Sequence, residues 1–220
     1  MNRLSPRLLL TSCFFAALMG SMSGCADWLE DGLNAADDAL LIDFDLSLDL
    51  PGAITVPYPG SEALNSLPID TASGIVKLPF VPTPALPINM IEIDPTGQLE
   101  RFKDNIRSIK IKRITATVTD NSFPTEIQPI AIHIGEFNES VESSLKAAET
   151  PVIAIGANPV VEATIDAGNQ TPIGNILSLL AFSITTRTAV KKPAGAIPEG
   201  GSFTMKFKID LTLTATPVPQ

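Results

Sequence analysis

The chain has 220 residues, is 45% hydrophobic but only 5% aromatic, and carries 15 Lys and Arg against 24 Asp and Glu, a formal charge of −9. That length supports one domain with a sizeable core, while the acidic balance excludes nucleic acid and anionic lipid surfaces as partners held by charge alone. One histidine and two cysteines are too few for a metal site built from His and Cys alone, and apolar burial rests mainly on Ile, Val, Leu and Thr, residues that suit pleated strands.

At the amino end, Arg3 and Arg7 precede the apolar run from Leu8 to Met19, which is too short to span a bilayer. The run leads into Met22-Ser23-Gly24-Cys25. This order of basic, apolar and small residues ending in cysteine resembles the signal peptide and lipobox of bacterial lipoproteins, with Met22 where leucine is commoner. The resemblance covers residues 1–25. It implies that residues 1–24 are removed and that Cys25 becomes the first mature residue, bearing a diacylglyceryl thioether and an acylated amino group. Two or more acyl chains hold a protein stably at a membrane, where a single chain does so marginally. Cys13 lies in the removed segment, so Cys25 has no disulfide partner, and a lone cysteine at this position is accounted for by lipidation. Losing Arg3 and Arg7 takes the formal charge from −9 to −11. Ala26 stands where enteric lipoproteins carry an inner-membrane retention aspartate. By that resemblance the expected location is the outer membrane or another cell membrane, lipid-anchored and facing the periplasm or the exterior.

Residues 26–40 place Leu29, Leu33, Ala36 and Leu40 at helical spacing, with Asp27 as N-cap and Glu30 three residues on. A short acidic helix is expected directly after the lipidated cysteine. From residue 41 the period becomes two: Ile42, Phe44, Leu46, Leu48 and Leu50 alternate with Asp43, Asp45, Ser47 and Asp49. That is a half-buried strand. Its carboxylates line one face and lack the tight glycine turn of a calcium loop, so they read as a solvated strand face. Residues 51–95 are rich in proline, which withholds a ladder donor and confines the segment to edge strands and extended loops. Ile75–Leu78 and Ile88–Ile93 are the expected strands there. The run Val81–Pro87 reads as a sheet-to-sheet crossing, or as a polyproline ligand for a grooved partner.

A turn of helix is expected over 98–105, then a long strand over 108–119. In that strand Ile109 and Ile111 share one parity while Ile114, Ala116 and Val118 share the other. Such a switch predicts a β-bulge near Lys112-Arg113. Arg107, Lys110, Lys112 and Arg113 form the one basic cluster, able to meet an acidic partner or the chain's own acidic strand at 43–49, though a solvated face is the commoner outcome for such a run. After a turn at 120–122, a strand with a kink at Pro129 carries Ile127, Ile130, Ile132 and Ile134. Residues 136–149 read as polar, with a helix around Val141 and Leu145. Val152–Ile155 and Val160–Ile165 read as strands separated by Gly156-Ala157-Asn158-Pro159, a turn signal. Thr171-Pro172 opens a helix with Ile173, Ile176, Leu177 and Leu180 on one face. A strand follows from Phe182 to Thr188. The most regular element is the last: Phe203, Met205, Phe207, Ile209, Leu211, Leu213 and Ala215 alternate with polar residues, as expected of a central strand.

These elements predict a mainly β protein, an antiparallel two-layer β-sandwich or partly open barrel with a short N-terminal helix and one or two minor helices. The expected organisation is a signal peptide over 1–24, a lipidated amino end and acidic helix over 25–40, and one β-sandwich domain over 41–220. No nucleophile elbow, phosphate loop, dinucleotide fingerprint or metalloprotease motif occurs. His133 sits mid-strand between isoleucines, where nothing in the sequence supplies a nucleophile, and reads as structural. Trp28 and Tyr58 are the one tryptophan and the one tyrosine, fewer than a carbohydrate platform commonly shows, which disfavours that role without removing it. The expected role is a non-catalytic envelope binding or assembly module needing no cofactor or metal, held at the membrane through Cys25 and meeting an envelope protein, not nucleic acid. The alternatives are a carrier of an apolar, lipid-like ligand between the sheets and, more remotely, a hydrolase built on scattered carboxylates.

Overall fold

The computed structural model describes residues 41–70, 72–77, 88–137, 143–192 and 200–217. The signal peptide, the lipobox Met22-Ser23-Gly24-Cys25, the acidic helix, the whole proline run at 81–87, Val141 of the expected helix and the loop at 193–199 lie outside the described residues. The described residues all fall in one compact unit spanning Leu41–Gln220.

That unit is mainly antiparallel β. Twelve strands are described: β1 (Ile42–Asp49), β2 (Ile54–Pro57), β3 (Ile69–Asp70), β4 (Ile75–Lys77), β5 (Ile88–Asn89), β6 (Ile106–Thr119), β7 (Ala131–Glu136), β8 (Leu145–Glu149), β9 (Val160–Ile165), β10 (Ala181–Arg187), β11 (Ala189–Lys191) and β12 (Ser202–Ala215). Short helices α1 (Ser61–Ser66), α2 (Met90–Ile93), α3 (Gln98–Phe102) and α4 (Gln170–Ser178) fill between them. Nine strands form one curled sheet in the order β1-β12-β6-β9-β8-β7-β10-β5, with β2 also on β12. A small sheet runs β11-β4-β3. The two ends of the large sheet face each other, so that Met205 and Phe207 of β12 look across at Ile88 of β5 and Ile184 of β10.

The last strand is central, as its alternation predicts. β12 pairs with β1 and β2 along one side and with β6 along the other, and its inward row from Phe203 to Ala215 is buried throughout. The bulge in β6 is where the parity switch puts it. Asp210 pairs with Arg113 but Leu211 pairs with Ile111, leaving Lys112 as the extra residue. Ile109 and Ile111 before it and Ile114, Ala116 and Val118 after it all face the core. A second register shift, between Thr214 and Ala215, leaves Arg107 as an extra residue near the start of the same strand.

Three local expectations are corrected. The segment 90–93 is helical, because the Asn89 side chain accepts from the Ile91 N–H at 3.1 Å and donates to Glu92 at 2.9 Å, capping a turn and stopping β5 after two residues. Residues 145–149 form strand β8, not helix: Ala147 and Ala148 are buried, and pairing to both β7 and β9 overrides a composition that suits helices. Residues 152–155 give one isolated bridge, Ile153 to Ile127, in place of a strand. Pro151 at its start and the bend before Gly156 (φ 67°) leave no room for a ladder.

Two contacts fix the packing of turns and helix. Asn121 is buried and its side chain donates to the Ala154 and Ala157 carbonyls while accepting from the Phe123 N–H, tying the turn after β6 to the loop before β9. Asp120 (φ 53°) makes that turn left-handed. Helix α4 lies against β6 at Gly174, where a Cβ would stand 2.4 Å from the Ile109 carbonyl oxygen.

Two outcomes follow. Gly174→Ala, favourable for an isolated helix, is expected to destabilise the protein by about 1–3 kcal/mol in urea unfolding, because backbone must move to admit the methyl. Deleting Lys112 makes the β6–β12 register continuous and turns one of the two apolar rows outward, so the cooperative transition is lost, whereas Lys112→Ala stays within about 1 kcal/mol of wild type.

Candidate functional site

The sequence-predicted basic cluster and acidic strand meet on the outer face of the β1–β12–β6 half. Register sets the rows: Ser47 lies beside Asp210 and Asp210 beside Arg113, while Asp45 lies beside Thr212 and Thr212 beside Lys110. The bulge adds what an even ladder lacks, two successive outward cations at 112 and 113. Lys112 Nζ reaches over β12 to Asp45 Oδ2 at 2.7 Å. Arg113 grips Asp210 Oδ2 with Nε at 2.7 Å and Nη2 at 2.6 Å. Neighbouring hydroxyls complete both carboxylates: Thr212 donates to Asp45 at 2.8 Å and Ser47 to Asp210 at 2.5 Å. Thr214 likewise donates to Asp43 at 2.6 Å.

These contacts set the charge states. The Lys112 ammonium, then the Thr212 hydroxyl, hold the Asp45 carboxyl below its ordinary value. Burial pushes the Asp210 carboxyl up, but hydrogen bonds from Ser47 and Arg113 outweigh it and the net shift is downward. Asp210 in turn raises Arg113. Beside the network a groove of about 570 Å³ opens to solvent, flanked by Asp45, Ser47, Lys112, Arg113, Glu162 and Lys208. It offers a ligand alternating fixed charges and hydroxyls on rigid strands. Asp45 and Asp210 are held below the ordinary carboxylate value and already hydrogen-bonded, a surface suited to recognition.

Other candidate residues fall elsewhere. His133 pairs in register with Thr185 on one side and Lys146 on the other, and its Nδ1 lies 3.4 Å from the Ser144 carbonyl. Half-burial pushes its pKa down, opposed by that carbonyl and assisted by Arg187 and Lys146, so the ring is neutral at neutral pH. Tyr58 is buried edge-on against Phe123 at 5.2 Å, and Phe123 against Phe203 at 4.8 Å, which makes it core. Burial raises its hydroxyl pKa against the Thr125 hydroxyl that faces it. Between the sheet ends, the opening lined by Leu50, Ile54, Ile88, Ile184, Met205 and Phe207 holds about 20 Å³, room for one water. Among the described residues no set of three His, Cys, Asp or Glu is placed to hold a metal ion, and no helix is long and apolar enough to cross a membrane. The lipobox residues Met22, Ser23, Gly24 and Cys25, and Trp28, lie outside the described residues. Sequence reasoning missed Asp210 as the acid that Arg113 meets; a lone aspartate in a polar row signals nothing until the strands are in register.

No family model and no curated protein matches this chain. Among solved structures, a chain of the Mud crab tombus-like virus is 10% identical over 82% of this chain and 82% of its own, with a TM-score of 0.38. A chain of the Gt strain of infectious bursal disease virus is 7% identical over 80% of this chain and 38% of its own, at 0.31. A chain of Israeli acute paralysis virus is 11% identical over 100% of this chain and 87% of its own, at 0.30. Scores of this size carry no argument, and the fold stands on its own strand register.

Asp45, Asp94 and Asp210 are all held below the ordinary aspartate value; at Asp94 burial is outweighed by hydrogen bonds from Thr96, Leu99 and Gln98. Their stabilisation is complete above the unfolded-state pKa near about 4 and is lost as pH falls through the lower folded values. Urea unfolding between pH 6 and pH 2 is therefore expected to show stability dropping below about pH 4. Asp210→Asn should flatten that drop, at a cost of about 1 kcal/mol at neutral pH.

Proposed function

We propose that the chain is a lipid-anchored, non-catalytic binding or assembly module of the bacterial cell envelope. The observation that carries this reading is the run from Arg3 to Cys25: a basic start, an apolar stretch of secretory length, two small residues and a cysteine with no disulfide partner. Acyl chains on Cys25 bind the bilayer, and the strand-rich body at 41–220 faces the periplasm or the exterior from a cell or outer membrane. The outer β1–β12–β6 face supports the binding half of the reading, since its charges are held rigidly by one another and by the ladder. The carrier alternative finds little support in an inter-sheet opening of about 20 Å³, which admits no acyl chain. A carboxylate hydrolase would need a protonated acid beside an ionised one, and Asp45 and Asp210 are both held ionised.

The test is Cys25→Ser in a bacterial host fed an alkyne-tagged fatty acid. Wild type is expected to take up the tag and partition into the membrane fraction, and the serine variant to lose both. Equal membrane partition of the two would overturn the tether.

A further inference from the structure

The large sheet ends in β1, an eight-residue strand whose second edge carries no partner strand among the described residues. Which groups that edge presents follows from register. The Leu50 N–H donates to the Phe207 carbonyl, continuing the β1–β12 ladder in which Asp49 lies opposite Lys208. Residues of even number in β1 therefore spend their backbone groups on β12. Those at 43, 45, 47 and 49 point theirs away from it. No backbone partner from another described element meets these outward groups. Helices α2 and α3 lie near, with the Phe102 ring 5.2 Å from Phe44, but neither forms a ladder with β1. An edge of this length is a template for strand addition.

The side chains say what would pair. The outward-facing residues are Asp43, Asp45, Ser47 and Asp49, all exposed. Asp45 is neutralised by Lys112, whereas Asp43 accepts from the Thr214 hydroxyl, and among the described residues no ion pair reaches Asp43 or Asp49. A second copy paired antiparallel about Leu46 would set Asp43 opposite Asp49 twice, like charge on like charge. On the inner side Ile42 stays 38% exposed at the rim of the core, leaving apolar surface for an added strand to cover.

We propose that the free edge of β1 binds an extended segment of a partner protein by strand addition, the segment alternating apolar residues with lysine or arginine and placing basic residues opposite Asp43 and Asp49. Main-chain bonds at 43, 45, 47 and 49 supply the affinity, the two uncompensated carboxylates choose the partner, and apolar side chains of the segment extend the inner layer past Ile42. The proposal deepens the binding-module reading and rests on it; because it is tested on protein in solution, loss of peptide binding and loss of membrane partition are separate results.

The test is fluorescence anisotropy of purified full-length protein with three labelled nonapeptides: alternating Lys and Val, the same composition reordered to helical spacing, and alternating Glu and Val. Wild type is expected to bind only the first. Ser47→Pro removes an outward N–H at an edge position, where proline is tolerated, and should weaken binding about tenfold or more. Ser47→Ala loses the same hydroxyl bond to Asp210 but keeps the outward N–H, and should weaken binding far less than Ser47→Pro does. The double variant Asp43→Lys/Asp49→Lys leaves the backbone intact and should switch preference to the Glu peptide, which keeps the test decisive if the proline variant unfolds. Equal binding of the reordered peptide, unchanged binding by Ser47→Pro with its fold retained, no binding by wild type, or a wild-type dimer that Ser47→Pro dissolves would each overturn the proposal.

Discussion

The single extra residue at Lys112 is the constraint on which this fold depends. β6 and β12 are both fourteen residues long and form the longest ladder in the sheet. Without the slip, a strand of period two could not bury both Ile109 and Ile111 on one side of position 112 and Ile114, Ala116 and Val118 on the other. The same slip stacks two cations outward in succession. One spans β12 to Asp45 and the other takes Asp210 on the adjacent strand, so the core's register and the outer face's charge pattern have one cause.

Around that ladder the core is aliphatic, with one aromatic corner where Tyr58, Phe123 and Phe203 meet edge to face. Leu50, Ile54, Ile88, Ile184, Met205 and Phe207 pack closely between the sheet ends, around an opening that holds about one water. Helix α4 covers β6 through Gly174 and is pinned by Gln170, which bonds both the N–H and the carbonyl of Ile111. The backbone groups beside the bulge are thereby satisfied by a side chain from a helix (the kind of partner a disrupted ladder needs).

Much of this was legible in the order of residues. Strict alternation in 42–50 and 203–215 marks strands whose faces differ in polarity, and the parity switch at 111–114 marks the bulge, because both signals come from burial on one side only. What escaped reading was decided by partners distant in sequence. Leu145–Glu149 carries lysine, glutamate and two alanines, a helical composition, yet two neighbouring strands recruit it. Met90–Ile93 looks like strand but is capped locally by Asn89. The basic cluster was legible as charge, but solvent was its commoner expected neighbour; that Lys112 meets Asp45 and Arg113 meets Asp210 depended on register.

The proposed membrane tether at Cys25 would hold a body whose outermost long strand has one edge unpaired among the described residues. Backbone amide exchange measured residue by residue in β1 tests that body most directly. The account predicts alternation: slow exchange at 42, 44, 46 and 48, whose amides bond β12, and fast exchange at 43, 45, 47 and 49. Uniform protection along the strand would contradict it, placing another element on the outer edge of β1.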